Sequence, residues 1–141
     1  MYFGSDLLFW CTLQLERLRL RLLGIPIDVV ARASADDKKF VSRLVLQLLP
    51  GSLRVDGILN DIAVSNPGLN EPYALEQITT PTLMIHAKDD RWGSFEDARR
   101  IAARIPGGQF RPIESGGHML LGHREAVRAD IAAFVGEHSG P

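Results

Sequence analysis

The spacing of apolar residues changes near Pro72, and this change divides the chain into a helical region and a region of alternating strands and helices. In the first region the clearest helical pattern starts at Phe40, where apolar residues recur at i, i+1, i+4, i+5, i+8 and i+9 on one face. Asn66-Pro67-Gly68 ends the last predicted helix of this region before Pro72. Three helices are predicted in the region, over residues 5–24, 34–50 and 52–65.

After Pro72 short apolar runs alternate with helical stretches. Strands are predicted at residues 82–87 and 109–114, and helices at residues 94–105 and 124–136. Strand, helix, strand and helix at this spacing form a β-α-β-α unit, whose two strands should be parallel. Pro112 cannot donate a hydrogen bond to a neighbouring strand, so its strand belongs at a sheet edge. The expected fold class is therefore α/β, with a helical region at residues 1–77 and the β-α-β-α part at residues 78–141.

Composition and charge indicate an ordinary globular protein. The chain has 141 residues, of which 45% are apolar and 23% are charged, and its formal net charge is −1. This balance gives no basic surface for nucleic acid and no attraction to an anionic membrane. No apolar run reaches the length of about 20 residues that spans a membrane, and the N-terminus lacks the pattern of a secretory signal. A cytoplasmic protein is therefore expected.

Several polar residues are expected to have structural roles only. Cys11 is the one cysteine, and its apolar neighbours favour a buried thiol. His86 lies within the first predicted strand and is expected to pack there. Asp89 is expected to pair with Arg91 or to be solvated. The four histidines lack the spacing of a helical zinc site, so neither a metal nor another cofactor is expected.

Two residues that can carry acid–base chemistry follow the two predicted strands. Asp90 comes directly after the first strand, and His118 comes after the second, 28 positions further along. The carboxyl ends of parallel strands meet at one edge of a sheet, where open α/β sheets bind ligands. A carboxylate there can orient an imidazole, which then acts as a general base and a general acid. Gly116 and Gly117 leave room for the imidazole of His118 to point into a cleft.

These segments resemble the end of an α/β-hydrolase. Residues 78–90 are similar to that family's strand and acid loop, which usually read P-T-L-x-I-x-G-x-x-D, with Ala87 in the place of the glycine. Residues 105–128 resemble its last strand, histidine loop and closing helix. The resemblance implies that Asp90 and His118 are the acid and base of a nucleophile–His–Asp triad. It also implies that residues 1–77 correspond to a helical cap.

The resemblance further implies an esterase-like hydrolase that acts on an apolar small molecule. Trp92, which follows the acid loop, and Met119, which follows the catalytic histidine, are expected to bind the substrate. The family's nucleophile elbow, G-x-S-x-G, does not occur in the chain. The chain is therefore expected to be the C-terminal portion of such an enzyme and nearly inert alone, since loss of a triad nucleophile costs about a million-fold in turnover.

Three alternatives remain open from the sequence. The missing nucleophile could be serine or cysteine, or an aspartate, which would favour epoxide or halide chemistry. A partner chain could supply it. Alternatively, the chain is an inactive truncated or interaction protein, and the open edge of its small sheet invites self-association with another copy.

Overall fold

The computed structural model describes residues 5–15, 23–65 and 72–139. The chain separates into two compact units, one of residues 1–19 and 35–73 and the other of residues 20–34 and 74–141. Helices and a parallel strand pair are both present, so the fold is α/β in this broad sense. In the part of the chain that the structure describes, no helix has the length and apolar character needed to cross a membrane.

The regular elements in the described residues of the first unit are all helical. Phe9 and Leu13 are buried one turn apart on the first helix, and Val41 and Val45 are buried in the same spacing on a later one. Asp6 accepts hydrogen bonds from the Ser52 backbone N–H at 2.8 Å and from its hydroxyl at 2.7 Å. The elements of this unit are α1 (Asp6–Gln14), α3 (Ala35–Leu46), a 3-10 turn (Gly51–Arg54), α4 (Val55–Asn60) and a π-helical turn (Asp61–Ser65).

Three expectations for this unit are corrected. Cys11 is exposed, because it lies on the side of α1 away from the buried Phe9 and Leu13. The helix predicted over residues 34–50 ends at Leu46, since the backbone must leave the helical conformation before Pro50. The helix predicted over residues 52–65 is a succession of 3-10, α and π turns. Of the helix predicted over residues 5–24, residues 16–22 lie outside the described residues.

The second unit contains the parallel strand pair that the sequence predicts. The strands run in register from Leu83 against Gln109 to Ala87 against Ile113, and Pro112 lies opposite His86. Each strand has one strand neighbour among the described residues, so Pro112 lies in an edge strand as expected. The elements are α2 (Ile27–Arg32), a 3-10 turn (Leu75–Gln77), β1 (Leu83–Ala87), α5 (Phe95–Arg104), β2 (Gln109–Ile113) and α6 (Arg124–His138).

Local chemistry fixes the helix between the two strands. The Ser94 hydroxyl accepts a hydrogen bond from the Asp97 backbone N–H at 3.2 Å and caps the start of α5. Ala98 and Ala102 are buried one turn apart on α5, so this small-residue face packs close to the sheet. The helix stops at Arg104, and Gly107 with φ +71° turns the chain into β2.

A short helix, α2, is absent from the sequence prediction. Pro26 follows the predicted end of the first helix at residue 24, and it stands at the N-cap position of α2 with φ −62°. Proline is favoured at the start of a helix because its φ is already helical and no hydrogen bond from its nitrogen is needed there. Val29 and Val30 on α2 are buried, and so is Ile25 just before it. This segment belongs to the same unit as the strand ends.

Candidate active site

Asp90 and His118 lie side by side beyond the carboxyl ends of the two strands. Asp90 follows the turn after β1, and His118 follows the Gly116-Gly117 turn after β2. His118 Nδ1 is 3.0 Å from Asp90 Oδ2, which is hydrogen-bonding distance. The structure thus brings together the two residues that the sequence singles out as an acid and a base.

The carboxylate of Asp90 is held by its own loop. Its side chain is 5% exposed, and Oδ1 accepts hydrogen bonds from the backbone N–H of Trp92 at 2.7 Å and of Gly93 at 3.1 Å. Burial on its own would raise the pKa of Asp90. The hydrogen bonds from Trp92, His118 and Gly93, with the charge of His118, outweigh burial and hold the pKa below its ordinary value. Asp90 is therefore ionised at neutral pH.

An ionised Asp90 dictates the tautomer of His118. A carboxylate can only accept hydrogen bonds, so Nδ1 of His118 carries the proton that faces it. In the neutral ring, Nε2 then keeps its lone pair. The His118 side chain is 43% exposed, whereas Asp90 is enclosed, so the ring can present Nε2 to a reactant while its other nitrogen is held. This is the arrangement a general base needs.

Asp89 ties the acid loop to the histidine loop, which corrects the expected pairing with Arg91. Its Oδ1 accepts a hydrogen bond from Gly117 N–H at 2.9 Å, and its Oδ2 accepts one from Gly116 N–H at 3.2 Å. A carboxylate that accepts two backbone N–H groups forms a charge-assisted contact stronger than a neutral one. Asp89 and Asp90 therefore hold the backbone and the side chain of the same short loop.

The two glycines of the histidine loop are required by the backbone. Gly116 has φ +144° and Gly117 has φ +60°, conformations that side chains strongly disfavour. A Cβ on Gly117 would lie 2.8 Å from the Gly24 carbonyl oxygen and 2.8 Å from Pro26. The loop is thus pressed against the segment before α2, and His118 N–H donates a hydrogen bond to that Gly24 oxygen at 3.3 Å.

A second imidazole reaches Asp90 from β1. His86 Nε2 is 3.4 Å from Asp90 Oδ2, and the His86 side chain is 16% exposed. His86 is packed, as expected, because its ring stands edge-on to Phe95 with centroids 6.1 Å apart. The contact with Asp90 was not expected.

The two predicted substrate-binding residues flank His118 differently. The Trp92 ring lies against the His118 ring, with centroids 4.9 Å apart and the planes inclined at 40°, and Trp92 is 60% exposed. Met119 is half-buried in the turn that follows His118. Substrate binding by either residue stays a prediction.

The described residues do not complete a triad. Within residues 5–15, 23–65 and 72–139, no hydroxyl, thiol or carboxylate is hydrogen bonded to His118 Nε2. Over the same ranges, no group of three or more histidine, cysteine, aspartate or glutamate side chains is placed to hold a metal ion. What the site offers is an oriented imidazole with an ionised acid behind it.

Sequence reasoning missed Asp89, His86 and Gly93 as parts of this site. Neither Asp89 nor His86 belongs to a periodic pattern that would predict its contacts. Those contacts depend on the loop geometry of the folded chain. Adjacent aspartates at a strand end followed by a Gly-Gly pair after the next strand were the available signal for Asp89.

Comparison with known proteins identifies no relative, since no family model, curated protein or solved structure matches the chain.

Proposed function

We propose that this chain supplies the acid, Asp90, and the base, His118, of a nucleophile–His–Asp triad of the α/β-hydrolase type, for hydrolysis of an ester-like small molecule. The observation that supports it is the 3.0 Å contact between His118 Nδ1 and an enclosed Asp90 carboxylate, with the imidazole itself half exposed. A solvent-exposed histidine without a chemical role has no need of a buried carboxylate hydrogen bonded to its ring.

In the proposed reaction a nucleophile from outside the described residues attacks the ester carbonyl, and His118 Nε2 takes its proton. Asp90 stabilises the imidazolium that forms and keeps its orientation. The imidazolium then gives the proton to the leaving alkoxide as the ester C–O bond breaks. For an acyl intermediate, water attacks next, and His118 takes the water proton and returns it to the nucleophile. Trp92 and Met119 would line the apolar side of the substrate.

The acid–base pair can be tested on this chain alone with an activated ester such as p-nitrophenyl acetate. An imidazole acting as general base lets water attack the ester carbonyl and releases acetate and p-nitrophenolate. His138 is a matched control, because it is also exposed but its Nδ1 is hydrogen bonded to the Phe134 carbonyl oxygen rather than to a carboxylate. We expect His118→Gln and Asp90→Asn to remove most of the chain-dependent release of nitrophenolate. Equal losses in His118→Gln and His138→Gln would contradict the proposal.

The nucleophile can be sought in the coding sequence upstream of Met1. An open frame that contains G-x-S-x-G, or its cysteine or aspartate form, supports the proposal and names the attacking group. A stop codon close upstream leaves a partner chain as the source of the nucleophile. In that case the proposal requires a partner chain that restores ester hydrolysis, and that does so only when His118 is intact.

A second candidate function is association through the sheet. The strand pair has two open edges among the described residues, and α6 buries none of its residues, leaving Ile131 45% and Val135 52% exposed. Unpaired strand edges bind other strands, and exposed apolar residues on a helix add surface for a partner. Sedimentation over a wide range of concentrations tests self-association. A constant monomer mass, unchanged in Val135→Lys, would exclude it.

A further inference from the structure

Trp92 is a large apolar side chain beside the candidate acid–base pair, and most of it is uncovered. The residue is 60% exposed, and its ring lies against the His118 ring with centroids 4.9 Å apart. Its backbone is fixed, because its N–H donates a hydrogen bond to Asp90 Oδ1 at 2.7 Å. Aromatic side chains bury about 150–250 Å² each and dominate the energetics of binding surfaces. This indole therefore offers a ligand a large apolar contact next to His118.

Gly24 supports the indole from the segment before α2. A Cβ on Gly24 would lie 3.0 Å from both Cδ1 and Cγ of Trp92 and 3.1 Å from His118 Cβ. The Gly24 backbone thus contacts the five-membered part of the indole and the base of the histidine side chain. The carbonyl oxygen of Gly24 also accepts the hydrogen bond from His118 N–H at 3.3 Å. Gly24 therefore helps to fix the two rings relative to each other, while most of the tryptophan stays open to solvent.

We propose that Trp92, beside His118, is a binding site for an aromatic ring, and that the substrate is an aryl ester. The substrate class rests on the proposed function of Asp90 and His118. In an aryl ester a single oxygen atom separates the ring from the carbonyl carbon. A ring stacked on the indole therefore brings the carbonyl toward the neighbouring imidazole, whose centroid is 4.9 Å from that of the indole.

The surroundings of Trp92 favour an aromatic ring over a sugar. Binding of a sugar requires polar side chains whose hydrogen-bonding groups are available to its hydroxyls. The two carboxylates of the acid loop are already engaged, since Asp89 accepts hydrogen bonds from the backbone of the histidine loop and Asp90 lies against His118. An aromatic ring needs no such groups, because it binds the indole through its face.

An aromatic ring also binds an indole more tightly than a saturated ring of similar size. Two aromatic rings in offset or edge-to-face contact gain free energy beyond the burial of their area. This extra gain corresponds to about two- to tenfold in the dissociation constant. The preference for a flat ring is therefore large enough to measure on this chain.

The second tryptophan provides a matched control. Trp10 lies on α1 in the other unit and is 46% exposed, so it is also an accessible indole. It is not part of the acid loop. A ring that binds any exposed indole should affect Trp10 and Trp92 alike, whereas the proposed site should be confined to Trp92.

The test is an NMR titration of the labelled full chain with acetanilide, an amide with the outline of phenyl acetate. N-cyclohexylacetamide has the same amide group but no aromatic face. We expect acetanilide to shift the indole N–H of Trp92 and the ring C–H signals of His118 together, and to leave Trp10 in place. Its dissociation constant should be about two- to tenfold lower than that of N-cyclohexylacetamide.

Variants of Trp92 locate the binding site. Trp92 is mostly exposed, so its replacement should leave the fold intact. Trp92→Leu should remove the response of His118 to acetanilide, and Trp92→Phe should retain part of it. Equal affinity for the two amides, equal responses of Trp10 and Trp92, or an unchanged His118 response in Trp92→Leu would each overturn the inference.

Hydrolysis of p-nitrophenyl acetate separates this inference from the proposed function. Release of nitrophenolate that depends on His118, without selective binding of acetanilide at Trp92, refutes the aromatic-ring site alone. Selective binding of acetanilide at Trp92, with equal release by the parent chain and His118→Gln, refutes the proposed function and leaves the ring-binding site in place.

Discussion

Replacing Gly117 by alanine tests whether the histidine loop is positioned as described. Two costs add at this residue. Its φ of +60° is left-handed, which costs a residue with a Cβ about 1–2 kcal/mol. The new Cβ would also lie 2.8 Å from Gly24 O, 2.8 Å from Pro26 Cδ and 2.9 Å from Ile25 Cα, and overpacking of this kind costs about 1–3 kcal/mol. Since two of these atoms are backbone, neither can turn away.

We therefore expect Gly117→Ala to lower the free energy of unfolding by about 2–5 kcal/mol, a large share of the about 5–15 kcal/mol typical of a domain. Gly122 is a matched control, because its φ of +86° is also left-handed but no atom of the described residues would lie within 4 Å of an alanine Cβ there. Gly122→Ala should cost only the backbone share, about 1–2 kcal/mol. Gly136 lies inside α6, and an alanine Cβ there would meet no atom within 4 Å. Gly136→Ala should therefore raise the free energy of unfolding by about 0.5–1 kcal/mol.

The assay is urea unfolding followed by far-ultraviolet circular dichroism, with the midpoint and slope fitted for each variant. The difference between Gly117→Ala and Gly122→Ala isolates the contact with the segment before α2. If the two variants are equal within about 0.5 kcal/mol, the loop does not press on Gly24 and Pro26, and the placement of His118 given above is wrong.

Three further predictions concern the same unit and α3. The folded pKa of Asp90 lies below its unfolded value of about 3.9. The contribution of Asp90 to stability is therefore present above about pH 4 and is lost as the pH falls through the folded pKa. Asp90→Asn should flatten the loss of stability measured between about pH 5 and pH 3, and an unchanged acid profile would contradict this. Asp89→Ala should cost about 2–4 kcal/mol in urea unfolding, because two backbone N–H groups lose a charged acceptor, and a cost below about 0.5 kcal/mol would show that these bonds do not form. Ser94→Ala should cost about 1 kcal/mol through loss of the α5 cap, whereas Ser42→Ala, within α3, should be nearly neutral; equal effects in thermal unfolding would argue against the cap.

The strand pair and the positions of Asp90 and His118 could be predicted because they follow from local signals. Short apolar runs separated by one helix length predict parallel strands, and residues that follow such strands must lie at one edge of the sheet. The predicted strand at residues 82–87 is observed at Leu83–Ala87, and the one at residues 109–114 at Gln109–Ile113. The relation of these elements to a hydrolase stays a prediction.

The supporting contacts could not be predicted, because they join segments that no periodicity relates. Asp89 bonds to the backbone of residues 27 and 28 positions away, and such bonds depend on loop geometry rather than on residue type. α2 was missed because Pro26 serves equally well to end one helix and to begin another. The exposure of Cys11 shows a related limit, since apolar neighbours in sequence do not reveal which face of a helix is covered.

The hydrogen bond from His118 to Gly24 has a consequence for the order of folding. It joins residues on either side of α3 and α4, so more than ninety residues separate its two ends in sequence. Contacts of such long range require closure of a large loop before they contribute any stability, and chains dominated by them fold slowly. The strand pair and α5 are local and can form early. The imidazole should therefore reach its final position in a late folding step, and its proton signals should appear after the amides of β1 and β2 are already protected from exchange.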